Sequence, residues 1–98
     1  MDNLEELSKA YQQDLPAKIA YILSLWKSLE EGPWNPETHL ELYHLVHNLA
    51  GVGAMFNCAK AGEIAARLGL LLYPKPEDKK AIAFVMREFE QGSWLPIF

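Results

Sequence analysis

LYHLVHNLAGVGAMFN, residues Leu42 to Asn57, sets two histidines three positions apart and follows them with two glycines and two alanines. The apolar spacing around them is helical. On a wheel at about 100° per residue, Leu42, Leu45, Val46, Leu49, Val52 and Phe56 fall on the side that a helix buries. His47 then points roughly 160° away from the centre of that face. It faces outward, with His44 on the same side one turn back. Ala50, Gly51 and Ala54 stand three, four and seven residues after His47, and Tyr43 stands four before it. An outward imidazole therefore looks over a clearing of small side chains. Glycine inside a helix costs about 1 kcal/mol relative to alanine, so Gly51 and Gly53 each need a reason. Gly53 falls on the core side, where a neighbouring helix can approach. Gly51 falls on the outer side, where only an external partner uses the room.

The segments on either side repeat the helical period. Leu4, Leu7 and Tyr11 predict a short first helix. Leu15, Ile19, Ile22, Trp26 and Leu29 recur at steps of three and four and predict a second. Pro16 suits that helix's first turn, where no N–H is needed. Asn35 and Pro36 form an N-cap and N1 pair that opens a third helix, running through about Met55. Asn57 is placed to cap a fourth, from Cys58 to about Leu72, whose inner face is Ala61, Ile64, Ala65, Leu68 and Leu72. Beside that face, Gly62, Ala66 and Gly69 make a second strip of small residues, and Leu70 points outward. Pro76 opens a fifth helix with Ile82, Val85, Met86 and Phe89 as its stripe. Nothing alternates as a strand would. The expected fold is all-α: an antiparallel four-helix bundle with a short additional N-terminal helix, one domain over residues 1–98 with its core at about 4–91. Trp26 falls at core spacing. Trp34 and Trp94 are expected to cover the ends of the bundle, and the apolar tail from Trp94 to Phe98 to pack on it or to lead into a further domain of a longer protein. His39, in a helix's first turn, has no evident role.

Composition narrows the function. The chain has 98 residues, half of them hydrophobic, and a net charge of −4. No run of basic residues exceeds Lys79-Lys80, so nucleic acid is a poor partner, because phosphate contacts need a basic face. Cys58 is the single cysteine; it forms no internal disulfide and no metal motif, which fits a reducing compartment. The acidic start lacks the apolar core of a signal peptide, and no apolar run is long enough for a membrane span. A cytoplasmic monomer is the expectation. Glu41 and His44 form a Glu-x-x-His pair, but carboxylate metal sites in bundles need two such pairs and two further glutamates facing inward; no metal is expected.

A neutral imidazole is a nucleophile. Alone, without an oriented base or oxyanion donors, it makes no complete active site. It can still accept a phosphoryl group, since that transfer demands chiefly positioning and charge neutralisation. At this point the residues resemble a known family. His47-Asn48-Leu49-Ala50-Gly51-Val52-Gly53 is similar to the HxLKGxx signature of histidine-containing phosphotransfer (HPt) domains. FNCAKAGEIAARL resembles that family's following helix, and LPAKIAYILSLWKSL its first long one. The resemblance covers residues from about Leu4 to Phe89. It implies a phosphoryl carrier in a multistep phosphorelay, not an enzyme with its own site. His47 Nε2 would accept from a receiver-domain aspartate and pass the group to another. Tyr43, His44, Ala50, Gly51, Ala54, Ala66, Gly69 and Leu70 would form the docking surface for a receiver domain or a hybrid histidine kinase. No cofactor is implied on this chain; the magnesium would belong to the receiver. Two departures stand out. The family usually has lysine where this chain has Ala50, and often a glutamine near the position of Gly69. They leave an alternative: an HPt-like docking module that binds a receiver or kinase without taking phosphate.

Overall fold

The computed structural model describes residues 3–73 and 76–95. Among them run four helices: α1 (Asn3–Glu31), α2 (Pro36–Val52), α3 (Ala59–Leu72) and α4 (Lys79–Glu90). The expected short N-terminal helix is not a separate element. It is the start of α1, which at 29 residues is the longest helix of the four. Pro16 lies inside α1 and not at its beginning.

The physical reason lies far along the chain. An interior proline has no N–H for the carbonyl four residues back, here Gln12, and costs about 3 kcal/mol. The helix runs on because its first turns are anchored. Ser8, a buried polar residue, donates its Oγ–H to the Phe56 carbonyl at 3.0 Å. Gln12 Nε2 donates to the same carbonyl at 3.0 Å and to Ser8 Oγ at 2.9 Å. Asn57 Nδ2 adds a third bond to Ser8 Oγ at 3.2 Å. The ring of Tyr11 packs on Phe56 with centroids 4.9 Å apart. Replacing Pro16 with alanine is expected to stabilise the protein by about 2 kcal/mol. The regained helix propensity exceeds the roughly 1 kcal/mol by which proline restricts the unfolded chain. Urea unfolding measures this; a lower midpoint would mean that the helix needs a bend at Pro16.

Each helix buries one stripe. Ile19, Ile22 and Trp26 of α1, Leu42, Val46 and Leu49 of α2, Leu68 and Leu72 of α3, and Ile82, Met86 and Phe89 of α4 meet in one core. The contacts fix the directions. The start of α1 meets the turn after α2, and Tyr21, further along α1, donates to Glu41 near the start of α2. That bond raises the Tyr21 pKa. The end of α2 meets the start of α3 at Gly53 and Gly62. Helices α1 and α2, and likewise α2 and α3, therefore run in opposite directions.

Three helix boundaries differ from the sequence reading. α2 stops at Val52, where Gly53 is the C-cap, three residues short of Met55. Asn57 is not the cap of α3. It takes a left-handed conformation (φ 63°), which asparagine tolerates better than most residues, and Cys58 takes the cap position without a side-chain capping bond. Helix α4 begins at Lys79, because Asp78 Oδ1 accepts from Ala81 N at 3.0 Å and caps it. Trp94 does pack on the bundle, donating Nε1–H to the Phe89 carbonyl at 2.9 Å; residues 96–98 of the tail lie outside the described residues. No helix among the described residues is long and apolar enough to cross a membrane.

Candidate functional site

Asn35 sets the start of α2. Its Oδ1 accepts from Glu37 N at 2.9 Å and Thr38 N at 3.3 Å, and Pro36 needs no partner at N1. From that start the 3.6-residue period puts Leu42, Val46 and Leu49 in the core and leaves His44 and His47 exposed. Helix α3 lies against α2 and carries Ala66, Gly69 and Leu70 to the same side as His47.

The two helices frame a shallow groove of about 400 Å³ lined by Tyr43, His47, Ala50, Ala65, Ala66, Gly69, Leu70 and Tyr73. Six of these are residues that the sequence singled out. His44, Gly51 and Ala54 are not among the lining. His44 packs beside Tyr43, ring centroids 6.0 Å apart. Gly51 is exposed on α2, and Ala54 falls in the turn beyond the helix end and not on its wheel. Tyr73 is the lining residue with a large side chain that sequence reasoning missed; it follows the last periodic residue of α3, so no periodicity marks it.

The small residues separate into two kinds. A Cβ at Gly53 would stand 2.8 Å from the Leu49 carbonyl oxygen, 2.9 Å from that of Cys58 and 3.0 Å from Gly62 Cα. Gly53 is therefore required by the fold. A Cβ at Gly51 or Gly69 would meet nothing within 4 Å. Neither needs to be glycine for packing; Gly69 lies within α3, where glycine is unfavourable, and Gly51 stands one residue before the end of α2. Gly69→Ala is thus expected to stabilise the protein by about 1 kcal/mol in denaturant unfolding. A destabilised variant would show a packing role for the bare backbone.

Charge is absent from the described residues that line the groove. None of its lining residues is Lys, Arg, Asp or Glu. Arg67, next to Ala66 on α3, reaches Glu88 of α4 with both terminal nitrogens at 2.7 Å, and the hydrogen bond to Glu88 raises its pKa. His47 rests against the ring of Tyr43, centroids 5.6 Å apart and planes 24° from parallel. Among the described residues no three His, Cys, Asp or Glu side chains gather as a metal site would require.

His39 is the second residue the sequence undervalued. Its Nε2 lies 2.8 Å from the Leu72 carbonyl. A carbonyl only accepts, so Nε2 carries the proton, and the bond satisfies one of the free carbonyls at the end of α3. The ring also packs on Trp34, at 5.4 Å between centroids, and Lys79 Nζ sits 5.2 Å from the Trp34 ring centroid. This cluster joins the α1–α2 loop and the start of α2 to the end of α3 and the start of α4.

The architecture is that of a small all-α four-helix bundle, which many helical families share. No family model matches the chain, and neither does any curated protein or any solved structure.

Proposed function

We propose that the chain is a phosphoryl carrier of a multistep phosphorelay, with His47 as the acceptor. The observation that carries this reading is an exposed imidazole beside a groove that small side chains keep open, at Gly69 with no packing need for the absence of a side chain. The resemblance of residues 47–53 to the HPt signature gives the groove its chemistry. In the proposed step the lone pair of His47 Nε2 forms a bond to phosphorus. The bond from phosphorus to the receiver's aspartyl oxygen breaks, and its electron pair returns to the carboxylate. Nδ1 keeps its proton. Passing the group onward reverses these changes at a second receiver. The receiver supplies magnesium and the charged groups; this chain supplies the nucleophile and room for close approach. Such a carrier has no catalytic machinery of its own, works in the cytoplasm and needs no second copy.

The absence of Lys and Arg from the groove lining favours a second reading, in which the module docks a receiver or kinase domain without being phosphorylated. A phosphoryl group on His47 would draw no cation from the lining of this groove. Incubation with phosphorylated receiver domains separates the two. An acid-labile, alkali-stable label on the chain is the outcome expected of a carrier. Binding that persists in His47→Ala, with no label on wild type from any donor, would establish the docking module instead.

A further inference from the structure

Tyr73 ends α3 in extended backbone, with φ −118° and ψ 137°, and 63% of its surface is exposed. A ring left so open is not there to fill the core. It lies against Tyr43, ring centroids 5.2 Å apart and planes 30° from parallel. Tyr43 in turn lies against His47. Three rings, one from the end of α3 and two from successive turns of α2, thus make a continuous series that terminates on the imidazole. Tyr43 is its middle member, half-buried with one side against the core and the other open to Tyr73.

We infer that Tyr73 is a positioning residue for His47. By resting on Tyr43 it holds that ring in the orientation on which the imidazole stacks, so that Nε2 is presented in one direction. The inference rests on His47 being the reacting group. An exposed histidine otherwise samples several χ1 wells and a broad χ2, and transfer to nitrogen requires the lone pair to be aligned with phosphorus. None of the described residues lining the groove carries a charge, and the flat ring face of Tyr43 is what the imidazole rests on. Offset stacking of this kind contributes beyond simple area burial and depends on the ring face, not on the hydroxyl. Phenylalanine should therefore replace Tyr73, and leucine, apolar but not flat, should not.

The test compares wild type, Tyr73→Phe and Tyr73→Leu, with phosphoramidate as donor. In that reaction the phosphorus–nitrogen bond of the donor breaks, ammonia departs with the electron pair after taking up a proton, and the Nε2–phosphorus bond forms. So small a donor has no docking surface, and its rate reports on His47 itself. Tyr73→Phe is expected to react within about twofold of wild type, and Tyr73→Leu about three- to tenfold more slowly, the size of effect one aromatic pair exerts. The His47 ring-proton resonances should move in Tyr73→Leu and stay in Tyr73→Phe. A wild-type rate in Tyr73→Leu overturns the inference, whatever the resonances do. So does an equal loss in both variants, which would assign the role to the hydroxyl, or a loss seen only with a receiver donor, which would make Tyr73 a docking residue. If wild type takes no phosphoryl group from any donor, the carrier reading fails separately. The resonances then decide the stack: moved in Tyr73→Leu they uphold it, unmoved they overturn it.

Discussion

His47→Gln is expected to abolish phosphoryl uptake while leaving the helical signal intact and the melting temperature within a few degrees of wild type. Glutamine is polar, close in size and a good helix former, and its amide nitrogen has no free lone pair to attack phosphorus. The side chain is exposed, so no core contact is removed. What is lost besides the nucleophile is the stacking on Tyr43, worth about 1 kcal/mol, and the better helix propensity of glutamine offsets part of that. Acid-labile label from a phosphorylated receiver domain, with thermal unfolding run in parallel, makes the measurement. Label retained by His47→Gln would move the acceptor elsewhere, and His44→Gln would then be the next variant to examine. A collapsed fold would contradict the outward placement of His47.

Gly53→Ala is expected to destabilise the protein by about 3 kcal/mol, the upper range for forcing atoms into a filled interior. In a chain of this size that lowers the melting temperature by roughly 12–24 °C. Backbone conformation is no objection, since Gly53 is right-handed helical at φ −56° and ψ −47°. The objection is space. The added Cβ would meet two carbonyl oxygens and a Cα, each at 3.0 Å or less, and backbone atoms cannot rotate away as a side chain can. Gly62→Ala is the control. Its Cβ would find Leu49 O at 3.5 Å and Gly53 Cα at 3.6 Å, ordinary contacts, and Gly62 lies within α3, so stability should hold or rise by up to about 1 kcal/mol. Equal losses in both variants would show that the helices tolerate no side chain anywhere along their contact.

The parts of this fold that the sequence discloses are those written as periodicity. Leu42, Val46 and Leu49, and likewise Ile82, Val85, Met86 and Phe89, announce their buried faces by spacing alone, and the outward direction of His47 follows from the same wheel. What it does not disclose depends on partners distant in the chain. Leu4 and Leu7 look like the inner stripe of a short helix, yet both are exposed, and the buried residue between them and Tyr11 is Ser8. A polar side chain is buried there because its hydrogen bonds lie 48 and 49 residues away. Pro16 looks like a helix start because proline so often is one; only the anchor on Phe56 and Asn57 reveals a single helix running through it. Tyr73 and His39 are similar cases, one defined by a ring on α2 and the other by a carbonyl at the end of α3.

Helices α2 and α3 are tied at both ends of their contact, by bare backbone at Gly53 and Gly62 and by the bond from His39 to Leu72. Two helices fastened at separate points along their length have little freedom to slide or splay. The surface between the fastenings is therefore preorganised, and a molecule that settles on it loses little further chain entropy on this side of the interface. Backbone rearrangement that complex formation demands falls to the other partner, and on this side only exposed side chains such as Leu70 need reorient.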